Sequence, residues 1–168
     1  KKEEYHTLVV GLGNRDVTPD ALGPRVVDNL FITRHMVKEY GKYAFGEERV
    51  NSISGLVPGV MAQTGMESLE IIKGVVNQTK PDFIITIDAL AARSTKRLGC
   101  TIQLTDTGIV PGSGVGNHRN RISHENIGVP VISIGIPTVI DAVTIVSDAV
   151  NANRDMTEKL MSPKLNGM

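Results

Sequence analysis

Tryptophan is absent from this chain of 168 residues, and only three tyrosines and three phenylalanines are present. The core must therefore be built from valine, isoleucine and leucine, a composition that suits parallel strands buried on both faces. Cys100 is the single cysteine, which excludes an internal disulfide and fits a reducing compartment. Net charge is lacking too. The 18 lysines and arginines balance 18 aspartates and glutamates, leaving no overall positive field to draw the chain to nucleic acid or to an anionic membrane. Long apolar runs are missing: the longest, residues 129–140, is interrupted by Pro130, Gly135 and Pro137 and is short of the roughly 20 residues a spanning helix needs. The charged start, Lys1-Lys2-Glu3-Glu4, is unlike a signal peptide. The expectation is a soluble, cytoplasmic protein with no membrane partner and no direct nucleic-acid partner. With 40% hydrophobic residues the chain can bury a continuous core, so one domain over residues 1–168 is expected. Residues 151–168 lose the rhythm of strand and helix and end without a terminator, as in a trimmed or incomplete form of a longer protein.

What is there alternates between strand and helix signals. Residues 8–12 form a short apolar run ending at glycine, the pattern of a strand buried on both faces. Pro19 opens a predicted helix from about 19 to 31, with Leu22, Val26 and Leu30 at helical spacing. Thr64 and Glu67 have capping-box spacing, and Leu69, Ile72 and Val76 continue a helix that Pro81 stops. Residues 83–87 are the clearest strand. Residues 101–105 alternate polar and apolar, as a strand nearer an edge does, and residues 131–134 form another buried strand. From Thr138 onward, Val139, Val143, Val146 and Val150 recur at helical intervals. Residues 40–48 and 108–126 read as loops. The alternation predicts an α/β fold, a three-layer α/β/α sandwich around a mostly parallel sheet.

In such sheets ligands sit beyond the carboxyl ends of the strands, where loops and helix N-termini converge. Asp88 is the first polar residue after the strand at 83–87, and Asp20 follows the first strand by a short loop and falls in the first turn of its helix. If the two strands are parallel, both carboxylates lie on one edge of the sheet. Each also has a plainer explanation: the helix dipole favours an aspartate in a first turn, and a strand-end acid often caps the next loop. Asp88 is the harder to dismiss, because a carboxylate next to an apolar strand must find a partner or shift its pKa.

Other motifs carry less. Asp106-Thr107-Gly108 spells the triplet of pepsin-like proteases, but those are all-β enzymes that bring two triplets together, so a strand end and a turn is the better reading. Gly11-Leu12-Gly13-Asn14-Arg15-Asp16 imitates a dinucleotide fingerprint, yet an acid at the third glycine position would repel pyrophosphate. Gly112-Ser113-Gly114-Val115-Gly116-Asn117 lacks the final glycine and the lysine of a phosphate loop. The basic residues His118, Arg119 and Arg121 beside it are more simply a solvated loop than an anion site. No histidine spacing announces zinc, no Gly-x-Ser-x-Gly elbow is present, and Cys100 has no activating neighbour and reads as a small buried residue.

Taken together, Gly11-Leu12-Gly13-Asn14, residues 17–24 (Val-Thr-Pro-Asp-Ala-Leu-Gly-Pro), Pro58-Gly59-Val60-Met61, residues 80–94 around Asp88, Asp106 to Ile109, Pro111 to Asn117 and Gly135 to Ala142 resemble the spore germination protease family. The resemblance covers residues 8–148. It implies an endopeptidase, with no cofactor, that degrades small acid-soluble spore proteins in the spore core during germination. It also implies a zymogen that removes its own propeptide, a homotetramer, and a fold similar to hydrogenase-maturation proteases. The family's two essential aspartates fall on Asp20 and Asp88. Arg15-Asp16 departs from the Trp-Asn of the family at that point, and its propeptide and C-terminal portion are not evident. On this reading the carboxylate pair activates water, with Asp20 ionised and Asp88 protonated, and backbone N–H groups around Gly112, Ser113, Gly114, Gly116 and Asn117 are candidates to hold substrate or the oxyanion. The alternatives are a metallopeptidase with Asp20, Asp88 and His118 or His124 as ligands, and a non-catalytic α/β module that binds a ligand.

Overall fold

The fold is known from a computed structural model, which describes residues 4–46, 50–112 and 119–161, with side chains up to residue 157. Its elements run in the order β1 (His6–Gly11), a 3-10 turn (Thr18–Asp20), α1 (Leu22–Asp28), α2 (Arg34–Tyr40), β2 (Ser52–Leu56), α3 (Met61–Thr64) and α4 (Ser68–Thr79). There follow β3 (Phe83–Ala92), a second 3-10 turn (Thr95–Arg97), β4 (Gln103–Thr105), α5 (His124–Ile127), β5 (Val131–Ile140) and α6 (Ala142–Met161). The strands form one sheet in the order β2-β1-β3-β5-β4. Pairing is parallel for β1 with β2 and β3, and for β3 with β5; only β4, at the edge, is antiparallel.

Strand periodicity builds the layers. Leu8 and Val10 of β1, Ile84 of β3 and Val131 of β5 pack against Leu69, Ile72 and Val76 on α4, forming a buried aliphatic cluster. The other face carries Gly11 and Gly55, and their backbones lie against Gly23 of α1 and against Val27 and Ile32. Helices thus cover both faces of a mostly parallel sheet, the expected three-layer α/β/α arrangement.

Several local readings are corrected. The 19–31 helix is broken: Thr18–Asp20 is a 3-10 turn and α1 proper starts at Leu22, so Asp20 precedes the helix rather than lying in its first turn. Glu67, not Thr64, caps α4, and Glu70 returns a carboxylate oxygen to the Glu67 N–H at 2.7 Å. Thr64 instead closes α3, which Gly65 terminates in the left-handed conformation. β3 does not stop at Ile87. It runs on through Asp88 to Ala92, because β5 continues beside it and satisfies its backbone. β5 likewise extends to Ile140, so Thr138 and Val139 are strand, and helix begins only at Ala142. That helix reaches Met161, well into the tail expected to be irregular. Its stripe is not core: Val143 and Val146 are 75% and 62% exposed. Cys100 is exposed, in the surface connector after the second 3-10 turn. The elements α2 and β2 carry no clear sequence signal.

Candidate active site

The chain passes from β1 to β2 on one side of the sheet and from β3 to β5 and β4 on the other. Strands β1 and β3 therefore flank the point where the connections diverge, and a crevice opens beyond their carboxyl ends. The last β1–β3 pair is Gly11 with Ile87. The residue after Ile87 is Asp88, so the carboxylate stands at the lip of the crevice although its own strand continues.

The loop after β1 brings Asp20 to the same place. Gly13 has φ +112°, and a Cβ there would fall 2.0 Å from the Asp20 carbonyl oxygen, so only glycine lets the chain turn back this closely. The Asn14 N–H donates to Asp20 Oδ2 at 2.7 Å. Gly23 then brings α1 down onto the strand ends: a Cβ would meet the Ile87 and Leu12 carbonyl oxygens at 2.4 Å. Across the crevice, the Thr138 hydroxyl donates to the Pro19 carbonyl oxygen at 2.6 Å, fastening the turn to β5.

Asp20 and Asp88 line one cleft of about 970 Å³. Asp88 is 4% exposed and its Oδ1 accepts the Ala89 N–H at 2.9 Å. Burial, followed by the neighbouring Asp20 charge, pushes the Asp88 carboxyl up to about 7, against a smaller opposing effect of the Ala89 N–H. A carboxylic acid that holds its proton near neutrality can serve as an acid at that pH.

Of the other candidate residues, Gly112 lines the cleft, whereas Ser113, Gly114, Gly116, Asn117 and His118 lie outside the described residues. His124 opens α5 and is not among the cleft-lining residues. Among the described residues no three His, Cys, Asp or Glu side chains cluster as metal ligands. Asp106-Thr107-Gly108 forms the expected turn, with Gly108 at φ +83°, and is not among the cleft-lining residues. Arg15 pairs with Asp28 on α1, outside the cleft. Sequence reasoning did not single out Arg93, Arg97 and Thr138 as cleft residues. For Thr138 the only local signal was the proline before it.

The germination protease family model matches residues 1–159 of the chain. This chain belongs to the germination protease family. Among the family's curated members, a germination protease from Caldanaerobacter subterraneus subsp. tengcongensis is 60% identical over 133 residues, covering 79% of this chain and 40% of that protein. The Priestia megaterium and Bacillus subtilis germination proteases are each 58% identical, over 132 and 127 residues, and the match spans 35% and 34% of their lengths. The chain thus spans 40% or less of the length of these relatives. Among solved structures it is similar to the NiFe hydrogenase maturation protease HycI from Thermococcus kodakarensis, with 18% identity, TM-score 0.46, and coverage of 94% of this chain and 93% of that one. The endopeptidase HycI from Escherichia coli has 13% identity, TM-score 0.43, and coverage of 92% and 91%.

Proposed function

We propose that the cleft hydrolyses peptide bonds, with Asp20 and Asp88 as the reacting pair, and that the substrates are small acid-soluble spore proteins degraded in the spore core at germination. The observation that carries this reading is Asp88: a buried carboxyl raised to about 7 partly by a second carboxylate in the same cleft. Structural ion pairs lower carboxyl pKa values, whereas a carboxyl raised by burial and by a second carboxylate in the same cleft suits an acid–base site. Membership of a family whose relatives are named germination proteases supports a proteolytic role in spore germination.

In the mechanism, the Asp20 carboxylate takes a proton from water as the water oxygen attacks the scissile carbonyl carbon. The tetrahedral oxyanion is held by N–H donors on the Gly112 side of the cleft, and Arg93, Arg97 and Arg119 contribute positive potential from its walls. The Asp88 carboxylic acid then gives its proton to the amide nitrogen as the C–N bond breaks, releasing a carboxylic acid and an amine. Loss of the proton from Asp20 and its return to Asp88 through solvent complete the cycle. General acid–base help of this kind contributes about 10²–10⁴-fold. Family resemblance further suggests a homotetramer activated by removal of a propeptide.

Asp20→Asn and Asp88→Asn, each checked for folding, are assayed for cleavage of a purified small acid-soluble spore protein. Both are expected to lose at least two orders of magnitude in turnover. Wild-type turnover in either variant removes that residue from the reacting pair, and wild-type activity that dies with a chelator and returns with added metal would favour a metallopeptidase.

A further inference from the structure

Between β3 and β5 the pairing register shifts once, at the cleft. Leu90 opposes Pro137 and Ala91 opposes Val139, so Thr138 is the extra residue of a β-bulge. Pro137, which has no N–H to give to the ladder, immediately precedes it. Bulges turn a side chain out of the regular alternation and recur beside functional sites. Here the turned side chain is spent on one bond: Thr138 Oγ1 donates at 2.6 Å to the carbonyl oxygen of Pro19, 119 positions away in sequence. Pro19 is the residue before Asp20, and Pro19, Asp20, Asp88 and Thr138 all line the same cleft.

The turn bearing Asp20 is flanked by other contacts: Gln63 Nε2 lies 3.5 Å from Asn14 Oδ1 and 3.3 Å from Asp16 Oδ2 in the loop before it, and Gly23 after it packs against the Ile87 and Leu12 carbonyl oxygens. Within the turn, the Asp20 N–H reaches the Val17 carbonyl oxygen at 2.8 Å and the Ala21 N–H reaches that of Thr18 at 3.3 Å, and both bonds are internal to it. The Asn14 N–H at 2.7 Å ties Asp20 to the preceding loop. Thr138 is the hydrogen bond that joins the turn to the strand paired with the Asp88 strand.

We propose that Thr138 is a positioning residue: its hydroxyl, aimed by the bulge, holds the Asp20 turn against β5 and so sets the distance between the two carboxylates. The proposal rests on the reading of Asp20 and Asp88 as the reacting pair for its effect on catalysis, but not for its effect on geometry. Thr138→Val keeps the shape of the side chain and removes the donor, while Thr138→Ser keeps the donor.

The separation is read by the Asp88 carboxyl itself, because the Asp20 charge is the second cause of its raised pKa after burial. Arg93, Arg97, Arg119 and Asp141 are the other charged residues on the cleft walls and are unchanged in these variants. The experiment is a carbon-13 NMR titration of the Asp88 side chain in wild type, Thr138→Val and Thr138→Ser, with thermal melts to confirm folding. In Thr138→Val the Asp88 midpoint is expected to move down toward the ordinary carboxylate range, and in Thr138→Ser to stay at the wild-type value. In parallel, turnover of a small acid-soluble spore protein should fall on the order of 10²-fold in Thr138→Val with KM little changed, and recover in Thr138→Ser. A folded Thr138→Val with the wild-type Asp88 midpoint overturns the proposal. Should Thr138→Val fail to fold, Thr138→Ala carries the same titration and the same expectation. The titration needs no substrate, so it decides the role of Thr138 whether or not peptide hydrolysis is observed.

Discussion

At pH 8 the Asp88 carboxylate carries a charge that is only 4% exposed and faces a second carboxylate, and Asp88→Asn removes the charge while nearly preserving shape. The amide oxygen can still accept the Ala89 N–H that Oδ1 accepts at 2.9 Å. In the folded protein the carboxyl has a pKa of about 7, against an ordinary value of 3.8. The folded state therefore keeps its proton over a pH range in which the unfolded chain has lost it. Stability is full below the unfolded value, declines as pH rises through the interval, and levels off above the folded value. A difference of this size corresponds to roughly 4 kcal/mol at 1.36 kcal/mol per unit. The neutral asparagine resembles the protonated acid, so Asp88→Asn should be the more stable protein at pH 8 by up to that amount, on the order of 10 °C in Tm for a chain of this size. The advantage should shrink as pH is lowered to 5. Urea unfolding followed by circular dichroism at pH 5 and 8 measures it. An Asp88→Asn variant that is less stable at pH 8, or whose advantage is the same at both pH values, would refute a buried, proton-holding Asp88. A stabilised variant that has lost its hydrolytic activity is the usual signature of a site selected for function at the expense of stability.

The same titration has a kinetic face: if Asp88 must donate a proton, kcat of spore-protein cleavage should fall about tenfold per pH unit above about 7, as measured by a pH–rate profile. Gly23→Ala drives a Cβ to 2.4 Å from the Ile87 and Leu12 carbonyl oxygens, so α1 must lift from the sheet; a loss of about 1–3 kcal/mol in urea unfolding is expected, with turnover reduced beyond what the unfolded fraction explains. Ile72→Ala empties a fully buried position under the sheet and should cost about 2–5 kcal/mol, yet leave turnover of the folded fraction unchanged, since Ile72 is on the α4 face and not in the cleft.

Whatever depends on neighbours in the chain was legible without coordinates. Apolar runs at 8–12, 83–87 and 131–134 marked three central strands, and the spacing of Leu69, Ile72 and Val76 marked α4, because burial on a strand or a helix face imposes a local period. The placement of Asp20 after the first strand and of Asp88 directly after the apolar run at 83–87 was readable for the same reason and pointed to one edge of the sheet, although β3 itself continues past Asp88. Elements whose stability comes from elsewhere were not readable. In β2, Ser52-Ile53-Ser54-Gly55-Leu56 has no continuous apolar signal; it is held by pairing with β1, and Gly55 admits Val27 and Ile32. The valine stripe of α6 was visible, but its exposure was not, since periodicity reports which face is apolar and not what covers it.

The pair itself shows the division most clearly. Sequence determined that one carboxylate follows the first strand of an α/β sheet and that another directly follows the apolar run of a second. Only tertiary structure decided that β1 and β3 are neighbours, that β5 carries β3 past Asp88, and that a bulge turns Thr138 toward the turn bearing Asp20. Strand order and register depend on hydrogen bonds between segments far apart in the chain, and no local pattern of residues encodes them.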